Sequence, residues 1–240
     1  MEEKHILKEQ VKRRIDKYLE FDSSILFENC DYLEIFGGAV RDSITEMEIH
    51  DIDFLALSKS ATTCGKILES KGYKLIPELN GKEIHEMYKE IHCIFEPWTF
   101  MNKNLKIIQI IRPAVSKEES MKKSIKNSDF NNKPVPNFNF INSVGFFDTM
   151  KQVDLSCCGV SYNGLHIREN CEDAILHCKN RYYSVNKNAK MYNQGRTISR
   201  ETKLNDRGWT NIEFLKEEQL INLDRFKKLD KMLCESFVDL

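Results

Sequence analysis

Asp51 and Asp53 stand one residue apart at the head of the run Asp-Ile-Asp-Phe-Leu-Ala-Leu, whose apolar content predicts a strand. Side chains two apart on a strand point to the same side and lie about 6.5 Å apart, so these two carboxylates present together. No lysine separates them, and such a pair suits a hard divalent cation that takes oxygen ligands and keeps water and substrate phosphate in its other positions. The expected cofactor is Mg²⁺, with Mn²⁺ able to take its place. Upstream, Gly37 and Gly38 follow the short apolar run Leu33 to Phe36. A double glycine lets the backbone turn sharply into a helix and bring free N–H groups up to a phosphate. Carboxylate pair and glycine turn together predict a site for a metal ion and a nucleoside triphosphate.

Several elements must position these groups. Val40, Ile44 and Met47 recur at helical spacing, which predicts a short helix over 39–47 after the glycines. Ile6, Val11, Ile15 and Leu19 predict an amphipathic helix over 3–20 that packs outside the sheet in a structural role. A helix over 61–70 closes at Lys71-Gly72. Strands are expected at 73–76, at 92–97 and at Leu105 to Ile111, the last apolar enough to be buried on both faces. Residues 114–140 are polar and lack apolar periodicity, as in an insertion or loop. A strand over 153–162 would carry Asp154 at its start and point Cys157 and Cys158 to opposite faces. Asn163-Gly164 is a two-residue hairpin signal before 165–168. A helix over 172–179, a strand over 182–185 and a helix over 196–207 complete the order. That order predicts an α/β (α+β) fold: a small mixed sheet with helices mainly on one face. Three parts are expected, an N-terminal helix (1–30), a site-bearing domain (31–185) and a short helical C-terminal extension (186–240).

Three segments carry a resemblance. Gly37-Gly38-Ala39-Val40-Arg41-Asp42 followed by Asp51-Ile52-Asp53, then Asp154 to Tyr162, then Arg200 to Trp209, resemble in that order the head domain of the CCA-adding enzyme and bacterial poly(A) polymerase family, within the DNA polymerase beta-like nucleotidyltransferases. The resemblance implies metal-dependent catalysis by Asp51, Asp53 and Asp154. It implies nucleotide binding by Gly37, Gly38, Arg41, Asp42, Arg200, Lys203 and Arg207. Asp154 could be the third carboxylate or a ribose contact, and Asp148 is its rival for the third position. Arg41 and Asp42 could instead form a salt bridge that holds the helix. The family's two arginines ahead of the motif aspartate are replaced by Gln152 and Val153, and no copy of the base-reading neck motif is present. Beyond residue 211 there is room for about two helices, where the family's larger members carry domains that grip tRNA. Few donors remain to read a base, so selectivity should be modest, or favour purines through stacking on Tyr162 or Trp209.

Composition fits a catalyst that folds alone. The chain has 240 residues, 30% charged and 41% hydrophobic, the usual balance of a soluble globular protein. No run of 18 apolar residues and no signal-peptide pattern occurs, which excludes a membrane span and predicts a cytoplasmic protein. The eight cysteines form no Cys-x-x-Cys pair and read as free thiols in a reducing compartment. His50 precedes the carboxylate pair as a turn residue, while His85 and His92 lack the spacing of a zinc helix. Gln109 is either a satisfied core amide or a contact to ribose or base. Net charge is −1, yet residues 178–207 hold eight basic against two acidic side chains, interleaved with Tyr182, Tyr183 and Tyr192. Such a mixture can track a phosphate backbone and stack bases, or be a solvated face over core tyrosines. The expected activity is transfer of NMP from an NTP to a hydroxyl, an RNA 3′ end first and a protein or small molecule otherwise. The competing expectation is a nucleotide- or RNA-binding module without catalysis.

Overall fold

The central strand of the sheet is also the one that carries the carboxylates. In the computed structural model, which describes residues 2–76, 95–113, 153–189 and 192–235, β2 (Asp51–Ala56) lies between β1 (Leu33–Phe36), antiparallel to it, and β5 (Ile107–Pro113), parallel to it. The other strands are β3 (Lys74–Leu75), β4 (Phe95–Met101), β6 (Val160–Tyr162) and β7 (Ile167–Glu169), and the seven run in the order β3-β4-β5-β2-β1-β6-β7. A second, two-stranded sheet pairs β8 (Tyr182–Tyr183) with β9 (Thr210–Asn211) in parallel. Seven helices occur among the described residues: α1 (Glu2–Leu19), α2 (Ser24–Asn29), α3 (Gly38–Ile44), α4 (Ser58–Ser70), α5 (Ala174–Asn180), α6 (Gln194–Asp206) and α7 (Glu217–Glu235). The fold is α/β with a mixed sheet. None of these helices is long and apolar enough to cross a membrane.

One hydrophobic cluster joins the elements. Val11, Ile15 and Leu19 of α1 share it with Ile35 of β1, Val40 of α3, Ile52 and Phe54 of β2, Ile108 and Ile110 of β5, and Trp209 after α6. Alternation on β2 turns Ile52, Phe54 and Ala56 wholly inward, which leaves Asp51 and Asp53 on the other face at the strand's open end. β5 is the apolar strand that the composition of Leu105 to Ile111 predicts, shifted by two residues. Leu105 itself is exposed with φ +59, because the turn before β5 is built on Asn102, whose Oδ1 accepts from the N–H groups of Asn104 and Lys106 at 2.9 and 3.0 Å.

The stretch 153–162 is not one strand. Leu155 makes an isolated bridge to Val185, Ser156–Cys158 form a 3₁₀ turn, and β6 starts only at Val160. Cys157 and Cys158 therefore do not alternate across a sheet, and both are buried. The hairpin between β6 and β7 is present, but Tyr162 pairs with Ile167, so its loop has four residues rather than two. Asn163 Oδ1 accepts from Leu165 and His166 N–H across that loop. The polar segment 114–140, Asp148, Gln152, His85, His92 and Lys190 lie outside the described residues.

Gly159 ends the 3₁₀ turn where no side chain fits. A Cβ there would stand 2.0 Å from Cys171 Sγ and 3.0 Å from Ser156 O. Gly159→Ala should lower stability by about 1–3 kcal/mol through overpacking. Cys171→Ala in the same chain should restore most of it, since the sulfur is the nearest obstacle. A urea-denaturation double-mutant cycle checks this, and additive effects would contradict it.

Candidate active site

Asp53 is held where its charge is hardest to bear. β2 pairs Asp53 with Phe36, the last residue of β1, so the Gly37-Gly38 turn begins directly beside it. Gly37 has φ +69, a conformation that favours glycine, and its N–H donates to Val160 O at 2.9 Å while its carbonyl accepts from Arg41 N–H at 3.0 Å. On the other side Asp53 lies alongside Gln109 of β5, which is half-buried. Asp51, at the strand's first position, is exposed. Asp53 Oδ1 is fully buried and has no hydrogen-bond partner among the described residues. Burial, and then the charge of Asp51, push Asp53 up to about 7, against the pull of Arg196 and Arg200. Loss of hydration raises Asp51 as well.

An unpaired buried carboxylate oxygen beside a second carboxylate is the donor set a hard cation requires. The pair fits Mg²⁺ on that ground. Asp154 differs. It is fully buried, and both its oxygens are taken: Thr197 Oγ1 donates to Oδ2 at 2.6 Å and Arg200 Nη1 donates to Oδ1. Among the described residues no group of three or more carboxylate, histidine or cysteine side chains is arranged to hold a metal. Through Thr197 and Arg200, Asp154 anchors α6 to the loop before the 3₁₀ turn.

Arg41 and Asp42 form the salt bridge that was the alternative to substrate binding. Arg41 Nε donates to Asp42 Oδ1 at 2.7 Å, its Nη1 to Cys158 Sγ at 3.3 Å, and its guanidinium lies 5.5 Å from the centre of the Trp209 ring. Asp42 Oδ2 accepts from Arg207 Nη2 at 3.1 Å, which ties α3 to the end of α6. A hydrogen bond from Cys157 and the charges of Arg200 and Arg41 hold the Cys158 thiol well below its usual range. Lys203 is exposed on α6.

Neither candidate ring is open for stacking. Tyr162 is buried, sits edge-on to Phe27 and donates to Gly164 O, and Trp209 is buried with its N–H on Met47 Sδ. Of the tyrosines in the basic segment, Tyr183 is a core residue bonded to Asn205 Oδ1, and Tyr182 and Tyr192 are half-buried. Thr197 carried no signal of its own in the sequence, and the 3₁₀ turn at Ser156–Cys158 was hidden within a stretch that reads as a strand. Tyr18 was hidden too, in a helix read only for its apolar stripe. Burial pushes its phenol up to about 12, with the charges of Asp51 and Asp53 acting the same way, so its hydroxyl stays protonated near the site.

The two aspartates should respond to mutation in opposite ways. Asp53 has its folded-state pKa raised, so its contribution to stability is complete below about pH 4 and is lost as pH rises through about 7. Without divalent ions, Asp53→Asn should therefore be more stable than the parent at pH 8, by on the order of 1–3 kcal/mol, and gain nothing at pH 4. Asp154→Ala strands the Arg200 charge and should cost about 3 kcal/mol or more. Thermal denaturation in chelator from pH 4 to 8.5 reads both; a destabilised Asp53→Asn at pH 8 would contradict the assignment.

No family model matches the chain, and no curated protein does. Solved structures do match. An apo CCA-adding enzyme is 15% identical with a TM-score of 0.50 over 98% of this chain and 46% of its own. A CCA-adding enzyme in complex with ATP gives 14%, 0.51, 93% and 44%. The Thermotoga maritima CCA-adding enzyme complexed with tRNA gives 14%, 0.50, 92% and 44%. The chain spans less than half the length of these enzymes, and over that span it shares their fold.

Proposed function

We propose that this protein transfers a nucleoside monophosphate from an NTP to a hydroxyl acceptor, an RNA 3′ end being the acceptor best supported. The observation that carries the reading is Asp53, a half-buried carboxylate with one buried, unpaired oxygen, set beside Asp51 and the Gly37-Gly38 turn. Supporting it, structures of the same fold are complexed with ATP and with tRNA.

In this reading the acceptor oxygen bonds to the α-phosphorus as the bond from that phosphorus to the β-bridging oxygen breaks, and pyrophosphate leaves. Asp51 and Asp53 would hold Mg²⁺ or Mn²⁺, which would supply acidity for the attacking hydroxyl and positive charge for the leaving group. The Gly37-Gly38 turn lets backbone approach the triphosphate without a Cβ in the way. Arg196 and Arg200, whose charges reach Asp53, supply positive potential on the α6 side. They stand in for the arginines that Gln152 and Val153 replace. Arg41, Asp42 and Arg207 hold α3 against α6 and shape the turn on which the nucleotide would sit. Asp154 positions Arg200. Lys203 and the other exposed basic residues of 178–207 offer phosphate contacts to the acceptor, which carry affinity without sequence information. Cys30, Cys64, Cys157, Cys158, Cys171 and Cys178 carry free thiols, which a reducing, cytoplasmic setting would maintain.

Incubation with total RNA, Mg²⁺ and each labelled NTP tests the activity. The expected result is label in RNA with more than one NTP and less than about a thousandfold preference in kcat/KM, since a pocket without dedicated donors discriminates weakly. Asp53→Ala should lower the rate by about a hundredfold or more while the protein stays folded. No incorporation with any NTP, or an unchanged Asp53→Ala rate, would overturn the reading. In the first case, NTP binding without turnover would leave the binding module.

A further inference from the structure

Gln10, Arg14 and Tyr18 recur every four residues on α1, each one position before a core residue of the same helix, Val11, Ile15 and Leu19. They form a polar row along the edge of the buried stripe, rising about 6 Å per step. In chain order they meet the last residues of α3 and the segment that joins it to β2. Gln10 Nε2 donates to Ser43 O and Ile44 O, both at 3.0 Å. Arg14 Nη2 donates to Met47 O. Tyr18 Oη donates to His50 O at 2.7 Å, lies 3.0 Å from Ile107 O, and accepts from Ile107 N–H at 2.9 Å. Ile107 is the register partner of Asp51, so one hydroxyl clasps the two strand ends from which the carboxylate pair emerges.

The segment between α3 and β2 is irregular. Glu46 has φ +57, and no strand or helix ladder fixes the spacing between the glycine turn and Asp51. The row on α1 supplies that spacing from outside. We propose that α1 is a working part of the metal site: Tyr18 is a positioning residue that holds the mouth of β2 and β5, and Gln10 and Arg14 set the distance from the Gly37-Gly38 helix to the carboxylates. The proposal rests on the reading of Asp51 and Asp53 as cation ligands. Groups that orient ligands from behind typically affect metal affinity by 10–100-fold.

Mn²⁺ affinity of the full chain, read by electron paramagnetic resonance of the free ion, separates positioning from packing. Tyr18→Phe keeps the ring and removes only the clasp; it should weaken Mn²⁺ binding about tenfold or more. Val11→Ala, which thins the packing of the same helix, should lower Tm yet leave Mn²⁺ affinity unchanged. Gln10→Ala, at a half-buried position, serves as a second variant should Tyr18→Phe fold poorly, and it too should weaken Mn²⁺. Parental Mn²⁺ affinity in the folded variants would overturn the proposal while leaving Asp51 and Asp53 as ligands. A parent chain that binds no Mn²⁺ would overturn the metal reading and this proposal with it.

Discussion

Two carboxylates at the open end of one strand set the terms for the rest of the molecule. Taking an ionised carboxylate out of water without a partner is costly, and a like charge beside it adds to that cost. Asp53 bears both, and its displaced pKa is the measure of it. A fold tolerates such a group when other interactions over-determine its position. Here the core side of β2, with Ile52, Phe54 and Ala56 wholly buried, fixes the backbone from which both aspartates project.

Around that pair the charges are arranged in layers. Asp42 and Asp154 each neutralise arginines that link α3, α6 and the 3₁₀ turn, so the basic side of the cleft is itself pinned. Cys158 Sγ accepts from Arg41 Nη1 within that arrangement. Buried ion pairs of this kind add little net stability compared with apolar packing, but removing one partner is severe. Their contribution is therefore to geometry: they keep the glycine turn, Arg200 and the carboxylates in one relation.

Much of this was legible from residue order. The glycine turn, β1 and the carboxylate strand are local features whose signals are short-range, and they appear where spacing put them. β5 was legible because a doubly buried strand has no polar alternation to confuse it. What failed was non-local. The stretch Asp154 to Tyr162 has the apolar content of a strand, yet Gly159, packed against Cys171, and the bond of Ser156 Oγ to His177 favour a 3₁₀ turn that no window of sequence contains. Asp154 stood out by its place in the motif Asp154 to Tyr162, and its hydrogen-bond partners could not be read there. Its partners, Thr197 and Arg200, lie more than forty residues away. The polar row of α1 went unread since periodicity records which face is apolar, not what the residues beside it hold.

The central claim is that Asp51 and Asp53 share a cation next to a triphosphate seated on the Gly37-Gly38 turn. Anomalous diffraction from crystals grown with Mn²⁺ and a non-hydrolysable NTP analogue tests it most directly. The account predicts a manganese peak bridging the Asp51 and Asp53 carboxylates, with the triphosphate against the glycine backbone and Asp154 still bound to Thr197 and Arg200. Manganese held by Asp154 or elsewhere, with Asp53 left without a ligand, would contradict it.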